Sequence, residues 1–96
     1  MSGWDTAHEA VEEALRITKH DRNDKAGNAE DNFAKIALVW TGLLQEKLAP
    51  GAVISPADTA RMMIGLKLCR DMHAPHRDNR VDIHGYTLCL ERVEPT

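Results

Sequence analysis

Two cations and a row of hydrogen-bonding groups stand close together in the stretch KLCRDMHAPHRDNRVDIHGY, from Lys67 to Tyr86. Lys67 and Arg70 follow an apolar run containing Met62, Met63, Ile64 and Leu66, while Asp78, Asp82 and Tyr86 recur every four residues beyond Pro75. That recurrence places the last three on one stripe of a helix. A cation on an apolar, buried stripe needs a partner, because an unpaired buried charge is costly. Lys67 and Asp82 are the natural pair, serving either to fix the register of two helices or to build part of a ligand site. Lys67 and Arg70 have the chemistry to hold phosphates, and Asp78, Asn79, Asp82 and Tyr86 to position a metal ion, a base or a sugar. Gly85, beside that stripe, leaves room for another backbone or a ligand to come close.

The elements that position these groups read as helices. Asp5 or Thr6 caps a first helix to about His20, with Trp4, Ala7, Val11, Ala14, Leu15 and Thr18 as its inward face. Glu9, Glu12, Glu13 and Arg16 fall on the opposite side, as a solvated face or as a metal-binding Glu-x-x-Glu-Glu group. His20 to Asn32 is a polar loop, from which Arg22 and Lys25 would reach a phosphate. Asn28 or Asp31 caps a second helix with a stripe of Phe33, Ile36, Ala37, Trp40, Leu43 and Leu44, widened by Ala34 and Leu38. Leu48-Ala49-Pro50-Gly51 ends it. Ser55 with Pro56 starts a third helix running to about His73, apolar on nearly every side and therefore expected to be buried. A fourth helix covers roughly Arg77 to Val93, and no alternating stretch is long enough for a strand. The expected architecture is all-α, a single domain over 1–96 packed as a four-helix bundle.

Composition narrows the function. The chain has 96 residues, 43% of them hydrophobic, 4% aromatic, and a formal net charge of −3. No basic field favours duplex nucleic acid, and few aromatics are available to stack single strands. Cys69 and Cys89 both sit at apolar helical positions and read as reduced core residues, which suits a cytoplasmic protein. The acidic start MSGWDTAHEAVEE lacks the apolar region of a signal peptide, and no run approaches a membrane span. His73 and His76 have a His-x-x-His spacing, but Pro75 separates them, and no second ligand pair stands elsewhere. A glycine-rich phosphate loop and a nucleophile elbow are absent from the sequence. With the second helix apolar over a wide arc and the third almost all round, the chain is expected to form a homo-oligomer, at least a dimer.

The blocks DRNDKAGNAEDNFAKIALVW, ISPADTARMMIGLKLCR and DNRVDIHGY, in this order and spacing, resemble a small family of tailed phages and prophages over roughly residues 9 to 90. Ala26 stands where that family has a Tyr before the glycine corresponding to Gly27. The Lys-x-x-Arg and Asp-x-x-x-Asp-x-x-x-Tyr arrangement also looks like the phage nucleotide modification associated domains. These in turn resemble the MazG-like all-α nucleotide pyrophosphohydrolases. The MazG-like pattern implies Mg²⁺ held by Glu-Glu-x-x-Glu on one helix and Glu-x-x-Asp on another, since that ion takes hard oxygen ligands shared with phosphates. Here Glu9, Glu12 and Glu13 would supply the first group and Asp82 the end of the second, with Asn79 in place of the Glu. Losing that carboxylate weakens both metal binding and activation of an attacking water.

The resemblance thus implies a phage-encoded nucleotide-binding protein, able to sequester a nucleotide immune signal of the host without any required cofactor. The alternative it implies is a Mg²⁺-dependent nucleoside triphosphate pyrophosphohydrolase. A structural or interaction bundle with no small ligand is the remaining class.

Overall fold

The computed structural model describes residues 3–18 and 29–96, with helices α1 (Gly3–Arg16), α2 (Ala29–Leu44), α3 (Pro56–His73) and α4 (Arg77–Val93). A single 3₁₀ turn, Gln45–Lys47, extends α2. Among the described residues there is no strand, so the structure is all-helical as expected. Arg22 and Lys25 lie outside the described residues.

The start of α3 is the most fully specified. The Ser55 hydroxyl accepts from the Asp58 N–H at 3.0 Å, and the Asp58 carboxylate accepts from the Ser55 N–H at 3.1 Å, with Pro56 as the first helical residue. This reciprocal box satisfies two donors that the first helical turn leaves open. The Ser55 N–H, then its hydroxyl, hold the Asp58 carboxyl below the usual carboxylate range. Before it, Gly51 turns the chain with φ of 81°, a conformation that favours glycine. The Thr41 hydroxyl accepts from the Ile54 N–H at 2.9 Å while donating to the Ala37 carbonyl at 2.7 Å, which ties the incoming segment to α2.

α4 is the central element, packing against α1, α2 and most extensively α3. Two small clusters form its two sides. Ala10, Ala14 and Val81 gather with Ile17 and Leu88, and Phe33, Ala60 and Cys89 gather with Ile36, Tyr86, Leu90 and Val93. Alanines at the contacts let helices approach closely but bury little area. The radius of gyration is 14.9 Å, against about 12–13 Å for a compact chain of this length.

This packing corrects several sequence expectations. On α1 the buried residues are Ala10 and Ala14, and Thr18 is buried just beyond its end; Ala14 and Thr18 are inward as expected, whereas Trp4, Ala7, Val11 and Leu15 face outward, Trp4 at 86% exposure. The apolar arc of α1 is wider than α4 can cover, and the small residues take the contact. α3 is not buried all round: Met62, Leu66, Leu68 and Met72 are exposed on the side away from its neighbours. Cys69 is exposed and only Cys89 belongs to the core; both thiols are free. On α2, Phe33 and Ala37 are buried as expected, but Leu38 and Leu43 are turned outward.

Ser55→Ala should lower stability by about 1 kcal/mol through loss of the cap. Chemical denaturation of the two proteins checks this, and equal midpoints would mean the box contributes nothing.

Candidate functional site

The α3–α4 hairpin leaves an open cleft of about 770 Å³ between the last turns of α3, the 74–76 turn and the first turns of α4. Lys67, Cys69, Arg70, His73, His76, Asp78, Asn79 and Asp82 line it. Most of the residues singled out by type and spacing are therefore brought together by the turn at Pro75.

Their states differ. Lys67 Nζ lies 2.9 Å from Asp82 Oδ2, with side chains 15% and 21% exposed. This is the pair expected from the sequence, and it bridges the two helices. Arg70, one turn further along α3, makes no ion pair or side-chain hydrogen bond among the described residues, and neither does His73. On the other wall, Asp78 is exposed, 3.7 Å from His76 Nδ1. With Lys67 offset by Asp82, the formal charges that remain are Arg70 on one wall and Asp78 on the other.

The turn itself is built by a residue that sequence reasoning passed over. The Asp71 carboxylate accepts from the His76 N–H at 3.1 Å and lies 3.4 Å from the Arg80 guanidinium, with the Asn79 amide also donating to it. The His76 N–H, ahead of Arg80 and Asn79, holds the Asp71 carboxyl below its usual value. His76 Nδ1 in turn accepts from the Asp78 N–H at 3.1 Å, capping α4. The signal in the sequence was Asp71 four residues before Pro75, with His76 and Arg80 following, a pattern that marks a side-chain-locked turn.

Three sequence expectations fall differently. Tyr86 is not in the cleft lining: its ring packs against Phe33, centroids 6.2 Å apart, in the second core cluster. Asn79 lines the cleft but is buried, with its amide engaged by Asp71. Gly85 does allow a close approach, and what approaches is Thr18, just past the end of α1. A Cβ there would lie 3.3 Å from the Thr18 hydroxyl, and the gap between the helices measures only about 10 Å³. That is about the space of one water.

The metal set proposed by resemblance is not assembled. Glu9 and Glu13 lie 4.0 and 3.7 Å from Arg77, and Glu12 bonds His8 at 2.7 Å, while Asp82 is held by Lys67. The Arg77 guanidinium lies against two of these carboxylates. Among the described residues no three His, Cys, Asp or Glu side chains gather as a metal site, which includes the His73/His76 pair. Nor is any described helix long and apolar enough to cross a membrane.

The geometry defines a small all-helical domain whose candidate site is a mixed-charge cleft at one helical hairpin. The chain belongs to the family described as a domain of unknown function, DUF6378, whose model matches residues 9–94. It is similar to the "Gene 55 protein" of Mycobacterium phage D29, 37% identical over 84 residues, covering 86% of this chain and 52% of that protein. The "Gene 55 protein" of Mycobacterium phage L5 is 35% identical over 82 residues, covering 84% of this chain and 49% of the relative. The chain thus spans about half the length of the curated relatives it matches. No solved structure matches it.

Two predictions follow from the charges. Asp82→Ala should cost about 2–4 kcal/mol by stranding Lys67 in a mostly dry contact, and adding Lys67→Met to Asp82→Leu should recover most of that loss. A thermal midpoint unchanged in Asp82→Ala would show the pair to be solvated. The second concerns acid. Asp71 has a lowered carboxyl pKa in the folded state, so its contribution is complete above the unfolded value and is lost as pH falls through the folded one. Stability should therefore decline more steeply below about pH 4 in the parent protein than in Asp71→Asn; parallel curves would remove Asp71 from the account.

Proposed function

We propose that this protein binds a nucleotide in the α3–α4 cleft and holds it without hydrolysing it. The observation that carries the reading is Arg70, a guanidinium lining the cleft with no ion pair among the described residues, one turn from a lysine whose charge is already taken. A guanidinium matches phosphate oxygens with two parallel hydrogen bonds. His73 stands one further turn on, and Asp78 on the opposite wall accepts hydrogen bonds from sugar hydroxyls or base amino groups. Lys67, Asn79 and Asp82 hold the walls in place around the ligand, and Arg22 and Lys25 would add phosphate contacts from their segment. The division into a cationic and an anionic wall suits a ligand that is an anion at one end and a donor at the other.

On this reading the chain is a MazG-like scaffold that keeps the phosphate contact and has given up the metal set. Glu9 and Glu13 paired with Arg77 favour retention over Mg²⁺-dependent pyrophosphohydrolysis. The relatives are phage proteins. A phage gains from capturing a nucleotide signal of host defence in the cytoplasm, and capture needs only affinity and copy number.

Calorimetry against linear and cyclic nucleotides, with Mg²⁺ and with a chelator, tests the proposal alongside a pyrophosphate assay. Binding should survive the chelator, the nucleotide should be recovered intact, and Arg70→Ala should weaken binding about tenfold or more, a charge-assisted hydrogen bond contributing ~1.5–3 kcal/mol. Rapid Mg²⁺-dependent release of pyrophosphate would establish the enzyme instead, and absence of binding across the panel would leave an interaction bundle.

A further inference from the structure

α2 is apolar on two sides, and the described residues of its own chain cover only one. Phe33 and Ala37 are buried on the inner side, with Ile36, Trp40 and Leu44 partly covered beside them. On the outer side stand Lys35, Leu38, Val39, Gly42 and Leu43, followed by Glu46 in the turn at the helix end, every one of them exposed. Leu38 and Leu43 are each 76% exposed and Val39 58%. At about 100° per residue, these six positions fall within an arc of about 140° on the helix surface. The arc is a continuous apolar seam with a cation at one end and an anion at the other.

We propose that this seam is the contact between two copies of the chain, paired antiparallel across a two-fold axis at the level midway between Trp40 and Thr41. About that one centre all six positions match in level. Lys35 meets the partner's Glu46 and Val39 meets the partner's Gly42 along the middle of the seam, while Leu38 and Leu43 at its two edges flank the contact on opposite sides. A two-fold contact uses the same patch on both subunits and must be complementary to itself. The sequence of this face meets that condition in reverse and fails it in parallel, where Lys35 would meet Lys35 and Glu46 would meet Glu46. Glu46 has no ion pair or side-chain hydrogen bond among the described side chains of its own chain.

Gly42 supplies the independent observation. A Cβ built on it meets nothing within 4 Å, so no neighbour inside the protomer needs the glycine. Its φ is not positive, so no turn needs it either. A glycine inside a helix is less stable than an alanine there, and a helix approaching closely from outside is what a bare backbone at this position admits. The shallow crossing class of about +20° keeps the ends of the seam in contact, so that Lys35 and the partner's Glu46 stay within side-chain reach. The seam lies on α2 and the proposed ligand cleft on α3 and α4, so the two readings stand or fall separately.

Sedimentation equilibrium of the full chain over about 1–100 µM, a range that brackets micromolar affinity, tests the interface. The parent protein should be a dimer, and Leu43→Glu a monomer with unchanged helix content by circular dichroism. Gly42→Leu fits the open space of the protomer and improves helix propensity, so it should stay folded while blocking the dimer. Lys35→Glu should weaken association roughly tenfold through two like-charge contacts, and Lys35→Glu combined with Glu46→Lys should restore it. A parent protein monomeric throughout, or a dimer indifferent to Leu43→Glu and Gly42→Leu, would overturn the proposal. Failure of the charge exchange to restore association would overturn its antiparallel register.

Discussion

The pairing of α3 with α4 is the constraint on which the rest of the structure depends. It is the most extensive contact between elements, and it is pinned in three places by charge. Lys67 and Asp82 meet in mid-helix, and Arg61 of α3 reaches Glu94 just beyond the end of α4. At the turn, Asp71 gathers the His76 N–H, Arg80 and Asn79. An ion pair in a largely dry contact adds little net stability against an apolar pair, but it penalises any register that separates its members. The hairpin therefore has one alignment, and the cleft exists because that alignment holds its two walls apart at the turn.

Around the hairpin the packing is built from small residues. Ala10, Ala14, Ala37, Ala57 and Ala60 are buried, whereas many of the large apolar side chains are not. Alanine contacts bring helix axes close and define their alignment well, but they remove little apolar area from water. The area left outside is where this chain has interaction capacity to spend. On α1 it surrounds Trp4, and on α2 it forms an ordered seam with charges at both ends. Large exposed apolar faces of this kind mark contact surfaces in folded proteins.

The chemistry of the cleft follows from which charges are already satisfied. Lys67 and Asp82 offset one another, Asp71 is consumed by the turn, and Glu9 and Glu13 face Arg77. What is left facing the cleft is Arg70 and His73 on α3 and Asp78 on α4. A cleft with balanced formal charge and spatially separated signs discriminates by orientation more than by total charge, since a ligand of uniform sign gains on one wall what it loses on the other.

The sequence by itself determined the elements and one decisive contact. Helix starts at Ser55-Pro56, the turn at Pro75 and the four-residue recurrence of Asp78 and Asp82 are local signals, carried by caps, ring geometry and helix periodicity. They were sufficient to place α3 and α4, to pair Lys67 with Asp82 and to bring most of the candidate site to one hairpin. The direction in which each apolar face turns was settled only in three dimensions. α1 and α2 carry more apolar arc than their neighbours cover, so periodicity placed Ala14 inward but could not say that Ala10 would be buried and Trp4, Val11, Leu38 and Leu43 left outside. Tyr86 shows the same limit, since a stripe shared with Asp78 and Asp82 at the helix start has turned far enough by the third turn to face Phe33. The carboxylates named for a metal stand apart for a related reason: Glu9 and Glu13 are positioned by α1, but Arg77 reaches them from α4, a partner distant in sequence. Periodicity fixes what lies on one helix, and only packing decides what lies against it.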